Sequence, residues 1–405
     1  MKKIIWTFVA LVLVFSMCMA IPVSAWDWTW TGTNESAVKP DSYDFSFAIV
    51  GDTQILSTLD AQTHETISNW GYSYANHLNK GYIPGIYNWI AGNIEAKNIA
   101  HVFALGDITQ NRNGADGKVN GRKEFELAKA GWSVLNGKVS YSHVRGNHDH
   151  IELYDEFICR DETYMSQFDG YYSNGSNVGR STYKTLDVGD AKFLLLALDF
   201  GANDDVLNWA CGVVEQHPDR KVIISTHGYV YNGSRRSSKA GGDWIGDGGT
   251  NGGEEIWNGL VRKYENIFMV LCGHYAVDAP FVVRRPKGDH GNTVYEVMIN
   301  PQEYDMQKAP VGMVAMLYFK EDLSRCSVEY YSTIKDEYCK LNTSTWIFEY
   351  EAKTTTAATT AAPETTAATT AAEEKSGCKS LIFMPALPIS AGCAAFALRK
   401  KKKVK

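Results

Sequence analysis

The chain has 405 residues, 44% of them hydrophobic and 21% charged, an ordinary globular composition with room for one large domain or two. Its formal charge of −6 understates the acidity of the middle. Lys2, Lys3, Arg399, Lys400, Lys401, Lys402, Lys403 and Lys405 sit at the extreme ends, and without them 32 basic residues face 46 acidic ones, about −14. Such a surface repels polyanions, so no nucleic-acid partner is expected, whereas a small phosphorylated substrate steered locally is compatible with it.

The two ends read as addresses. Lys2 and Lys3 precede an apolar run from Ile4 to Ala20 that closes on Val23-Ser24-Ala25, small residues where a signal peptidase cuts. Residues 1–25 are therefore expected to be a secretory signal, with an uncleaved N-terminal helix as the alternative. At the other end, Leu381 to Leu398 is apolar, about the minimum length for a membrane span, and the basic cluster after it belongs on the cytoplasmic side. Between domain and anchor, Thr354 to Ala372 contains no core-forming residue and reads as a disordered spacer. The expected organisation is a signal (1–25), a lead (26–43), a folded domain (44–350), a Thr/Ala-rich linker (351–380), a membrane anchor (381–398) and a basic tail (399–405). The domain would sit on the extracellular face, tethered through the C-terminal helix. Secretion permits disulfides, and Cys326 with Cys339 is a candidate pair, whereas Cys272 inside an apolar run reads as a buried thiol.

Within the domain, strands are expected at Phe45–Val50, His101–Leu105 and Val139–Val144, with helices near Ile83–Ile99 and Arg122–Leu135 between them. This alternation points to α/β layering around a buried sheet. From His150 to Asn177 the pattern lapses into a loop rich in Tyr and Phe, expected to cover one rim of a site. A hairpin follows around Gly189-Asp190, then a helix near Asp204–Gln216, the strand Lys221–Ser225, a Gly- and Ser-rich loop (Asn232 to Gly253), a helix at Glu254–Tyr264 and the strand Ile267–Cys272. Thr293–Ile299, Val311–Phe319, Cys326–Tyr331 and Trp346–Tyr350 alternate like antiparallel strands and are expected to form a second sheet packed on the first.

The chemistry gathers where strands end. Val144-Arg145-Gly146-Asn147-His148-Asp149-His150 delivers an amide, two imidazoles and a carboxylate within four residues of a glycine turn. Asp52, Asp107, His227 and His274 likewise each follow an apolar strand beside glycine or a small residue that lets the backbone turn sharply. In an open α/β sheet such strand ends share one edge. Two carboxylates, an amide oxygen and two imidazoles suit a borderline or hard divalent ion.

The order Asp52-x-Gln54, Gly106-Asp107, Gly146-Asn147-His148-Asp149, His227 and Gly273-His274-x-Ala276 resembles the calcineurin-like metallophosphoesterase family over roughly residues 45–331. Gly146-Asn147-His148-Asp149 is the specific element. The resemblance implies an α/β fold of two packed mixed β-sheets flanked by helices, a four-layer αββα sandwich. It also implies that Asp107 bridges two divalent metal ions (Mn, Fe, Zn or Mg), that Asn147, His227 and His274 complete one site, and that Asp52 holds the other, where Gln54 is the candidate second ligand, weaker than an imidazole. Ions about 3.5–4 Å apart neutralise a phosphate and activate water for in-line attack. His148 would serve the leaving oxygen as proton donor or charge stabiliser, with Asp149 fixing its tautomer and orientation.

Two positions depart from the family. Gln54 stands where it has its first-motif histidine and Ala276 where it has its last, and both fall on the site held by Asp52. Four outcomes are open: weak binding of that ion, rescue by His150 or Asp278, one-metal chemistry, or catalytic silence. Arg235 and Arg236, with Lys239 in the same loop, are expected to bind substrate and replace the missing positive charge. The expectation is a secreted, membrane-tethered, metal-dependent phosphoesterase acting on small phosphomonoesters or phosphodiesters. The alternative is a catalytically silent surface binding protein that keeps the fold.

Overall fold

A computed structural model of the protein describes residues 29–63, 75–112, 114–243, 250–275, 281–302, 310–340 and 346–349, all within the first of two compact units, Met1–Ala352. The expected signal, linker, anchor and tail, and Ala276 and Asp278, lie outside the described residues. Among the described residues no helix is long and apolar enough to cross a membrane.

The strands are β1 (Thr29–Trp30), β2 (Phe45–Val50), β3 (Ile99–Ala104), β4 (Ser140–His143), β5 (Gly170–Asn174), β6 (Asn177–Val188), β7 (Ala191–Ala197) and β8 (Lys221–Ser225). They continue with β9 (Ile267–Cys272), β10 (Phe281–Arg284), β11 (Tyr295–Ile299), β12 (Met313–Phe319), β13 (Arg325–Ser332), β14 (Glu337–Lys340) and β15 (Trp346–Glu349). The helices that cover their outer faces include α1 (Gln54–Asp60), α2 (Tyr82–Asn93), α3 (Gly114–Trp132), α4 (Asp204–Glu215) and α5 (Gly253–Gly259). In β2 and β9 every residue is buried, as expected of strands covered on both faces.

The first sheet runs β1-β14-β13-β12-β2-β3-β4, with β15 paired to β13, and β2, β3 and β4 are mutually parallel. The second runs β10-β11-β9-β8-β7-β6-β5, and β7, β8, β9 and β11 are mutually parallel. Between the sheets lies an apolar core in which Phe47, fully buried, meets Phe103, Phe193 and Phe319 edge-on at centroid distances of 5.3–5.6 Å. Outside the first sheet, α1, α2 and α3 bury Ile55, Ile83, Ile86, Phe125 and Trp132 against it. Outside the second, α4 and α5 bury Val206, Ala210, Val214 and Ile256. The molecule is therefore helix, sheet, sheet, helix, the expected αββα sandwich.

Three expectations fail in detail. The late strands do not make a sheet of their own: β12 joins the first sheet antiparallel to β2, and β13, β14 and β15 extend it by further antiparallel pairings, while β11 joins the parallel series of the second. Local alternation reports burial on one or two faces and cannot say which sheet a strand enters. The aromatic stretch after His150 is not a rim loop but short helices and β5. Tyr154 and Tyr164 are buried there, and their hydroxyls hold the backbone of His143 in β4 at 3.2 and 2.8 Å. Cys326 and Cys339 are not bonded to each other, because Cys339 lies opposite Tyr330, four residues along β13 from Cys326. Cys272 is buried as expected.

Candidate metal centre

Parallel strands deliver their carboxyl ends to one edge. The first sheet brings Asp52 and Gln54 after β2, Asp107 after β3, and Asn147 with His148 after β4, while the second brings His227 after β8, His274 after β9 and Asn300 after β11. The buried pair Arg145–Asp199, at 2.9 Å, ties the turn after β4 to the turn after β7 and so fastens the two sheet edges together. Glycine is required where the turns meet. A Cβ on Gly146 would strike the Asp107 carboxylate and backbone, and one on Gly273 would strike Asp52 Oδ1. Asp107 and His274 hold left-handed backbone, φ 49° and 67°, a strain on the order of 1–3 kcal/mol each that the surrounding packing must offset.

Asp107, His227 and His274 place ligand atoms all within 4.8 Å of one another. His227 is fully buried and its Nδ1 donates to the Leu105 carbonyl at 2.7 Å, which leaves Nε2 facing Asn147 Oδ1 at 3.1 Å and Asp107 Oδ2 at 3.3 Å. Three electron-rich atoms so close together need a positive charge between them, either a proton on Nε2 or a cation. With a proton there, burial alone would lower the His227 pKa, but Asp107 and Asp52 outweigh it and raise it to about 9. Burial alone would push Asp107 up, yet His227, His148 and the His227 hydrogen bond hold it well below the usual carboxylate range. The donor set of imidazole nitrogens, carboxylate and amide oxygen fits a divalent cation such as Zn, Fe or Mn.

The other half differs. Gln54 Nε2 donates to Asp107 Oδ2 at 3.0 Å, and Gln54 Oε1 is buried without a protein hydrogen-bond partner. Asp52 accepts from the His274 N–H and from Asn300 Nδ2, at 3.0 and 2.9 Å on Oδ2. Burial pushes the Asp52 carboxyl up to about 8, against the pull of His227.

The remaining site residues are placed differently from one another. His148 Nδ1 lies 3.3 Å from the Gln110 carbonyl and its backbone N–H donates to Asp107 Oδ1 at 2.8 Å. Asp149 does not orient that ring. Its carboxylate accepts from the N–H groups of Gly146 and Thr109, at 2.8 and 2.9 Å, and so stitches the turn after β4 to the turn after β3. Arg235 and Arg236 are committed elsewhere. Arg236 is buried on Glu296 and Glu254, at 2.5 and 3.0 Å, with its guanidinium 3.9 Å above Trp257. Arg235 forms a bidentate pair with Asp243 and lies 3.7 Å over Tyr231. A basic loop reads the same whether its cations face substrate or their own carboxylates.

Sequence reasoning overlooks Asn300, Gln110 and Arg112, whose Nη1 donates to the Asn147 carbonyl at 2.5 Å. Asn300 carries a usable signal, a polar residue directly after an apolar strand, but that strand alternates like a member of an antiparallel sheet.

No family model matches the sequence. The uncharacterised protein YvnB of Bacillus subtilis (strain 168) is 27% identical over 191 residues, which are 46% of this chain and 13% of that relative, so the chain spans a small part of the relative's length. Among solved structures, a dimetal phosphatase from Danio rerio aligns with a TM-score of 0.42 and 12% identity, over 72% of this chain and 97% of that one. GAP50, the anchor in the inner membrane complex of Plasmodium, gives 0.39 and 11%, over 73% and 87%. TT1561 of Thermus thermophilus gives 0.38 and 8%, over 71% and 99%.

Proposed function

We propose that the protein is a metal-dependent phosphoesterase acting on small phosphomonoesters or phosphodiesters, exported by its N-terminal signal and tethered to the outer face of the membrane by residues 381–398. The observation that carries the enzymatic part is the convergence of His227 Nε2, Asn147 Oδ1 and Asp107 Oδ2 within 3.3 Å of the imidazole nitrogen, on a residue whose other nitrogen is fixed by a carbonyl. Asp107, Asn147, His227 and His274 would hold a divalent ion, which when bound neutralises a phosphoryl group and acidifies a water. Asp107 is kept in place by the His148 N–H, and the whole edge is kept in register by Asp149 and by the Arg145–Asp199 pair. With Nδ1 of His148 directed at Gln110, its Nε2 is the atom available to give a proton to a leaving oxygen. The apolar C-terminal run and the acidic surface fit a substrate met outside the cell and not a nucleic acid.

The test is hydrolysis of an aryl phosphomonoester and the corresponding diester by the full chain with Mn, Fe, Zn or Mg added. Turnover should depend on metal, and His148→Ala should lower it by roughly 10²–10⁴ while metal stays bound. Asp107→Asn should lose both metal and turnover. A wild-type chain that binds metal yet hydrolyses neither ester would instead favour the silent binding protein.

A further inference from the structure

We infer that this protein holds one catalytic cation rather than two, because the Gln54 and Asn300 side-chain amides fill the second position with hydrogen-bond donors. The inference rests on the metal-dependent reading above and goes beyond it by fixing the metal content and naming the residues that set it. Among the described residues, the one group of three or more His, Cys, Asp and Glu side chains with ligand atoms within 4.8 Å is Asp107, His227 and His274, and Asp52 stays outside it. A second ion would have to sit between Asp52 and Asp107. Both carboxylates already face N–H groups there, Asp107 Oδ2 that of Gln54 at 3.0 Å, and Asp52 Oδ2 those of Asn300 at 2.9 Å and His274 at 3.0 Å.

The orientation of Asn300 is determined by its own partners. Its Oδ1 accepts from the Gln302 N–H at 3.0 Å, and its Nδ2 donates both to Asp52 and, at 3.0 Å, to the carbonyl of His274, which can only accept. The amide cannot be turned to present oxygen without setting two acceptors against each other. Gln54 Nε2 likewise faces a carboxylate, Asp107 Oδ2, while its Oε1 is buried without a protein hydrogen-bond partner. Donors on these oxygens compete with a cation for the same lone pairs, and neither amide nitrogen can act as a ligand in return. A histidine at position 54 would have supplied a lone pair. Glutamine instead sets a donor on Asp107, so a second ion would meet two carboxylates already engaged by N–H groups and, from position 54, no more than one amide oxygen, a weaker ligand than imidazole.

The experiment is Mn²⁺ binding to the full chain, followed by equilibrium dialysis with elemental analysis and by electron paramagnetic resonance. Wild type should bind one Mn²⁺ per chain with the spectrum of an isolated ion. Gln54→His combined with Asn300→Ala replaces one donor by a ligand and removes the other, and it should bind a second Mn²⁺ and show the spin coupling of a close pair. Two coupled ions in wild type would overturn the inference and leave the metal-dependent reading intact. No bound Mn²⁺ in wild type would sink both. A double variant with wild-type melting behaviour that still binds one ion would remove Gln54 and Asn300 as the cause. If that variant does not fold, the wild-type stoichiometry decides alone.

Discussion

The two sheets contribute different chemistry to the same edge and are braced in different ways. The first supplies oxygen donors, Asp52, Asp107 and Asn147, and next to them carries two buried histidines, His101 and His143, on β3 and β4. The second supplies the imidazoles of His227 and His274, and beside them carries a buried ionic knot in which Glu296 of β11 meets Arg236, Arg284 and the Tyr229 hydroxyl. Neither sheet alone holds a cation site, so the site exists only while the sheets stay packed. Their supports fail by different means: added charge on the first side, uncompensated charge on the second.

That contrast can be broken on each side separately. The largest effect is expected from Arg236→Ala, which leaves fully buried Glu296 with the Tyr229 hydroxyl at 3.1 Å and, as its one remaining cation among the described residues, the looser Arg284 contact at 3.4 Å. Removing one partner of such a pair should destabilise the protein by about 3–5 kcal/mol in urea unfolding, with the Michaelis constant of whatever folds unchanged. A large rise in that constant without loss of stability would return Arg236 to a substrate-binding role.

On the first sheet the tool is acid. Burial lowers the pKa of His143, enclosed by Trp132, Tyr141 and Tyr164, to about 3, and that of His101, also near Lys184, to about 3. Because the folded values lie below the unfolded value of about 6.5, the unfolded chain binds the extra protons. Each histidine's contribution is complete above that value and is lost as pH falls towards 3, about 2 kcal/mol of it by pH 5. The buried carboxylates Asp60 and Glu124, raised by burial, act in the opposite direction. The informative quantity is therefore the difference between wild type and His143→Phe: the variant should lose about 2 kcal/mol less between pH 7 and pH 5. Equal losses would mean that His143 is not buried neutral.

The smallest effect is expected from Arg235→Ala. Its side chain is 41% exposed and paired with Asp243, so stability should change by no more than about 1 kcal/mol and kinetic constants should hold. A tenfold rise in the Michaelis constant would show that the loop reaches substrate after all.

Read along the chain, the residues already mark where chemistry can stand. Apolar runs ending in Gly-Asp, Gly-Asn-His-Asp and Gly-His mark buried strands and the turns after them, because two-sided burial and glycine turns leave a local signature. Asp107, Asn147, His227 and His274 were legible on that ground, and so was the weakness beside Asp52, from Gln54. The packed fold adds that the ligands come from two sheets, that Asp149 staples two turns while Gln110 faces His148, that Arg236 serves Glu296, and that Asn300 donates to Asp52. Each of these depends on which non-local partner a polar group meets. A residue type states what a side chain can donate or accept, and the packing of distant strands decides what is there to receive it.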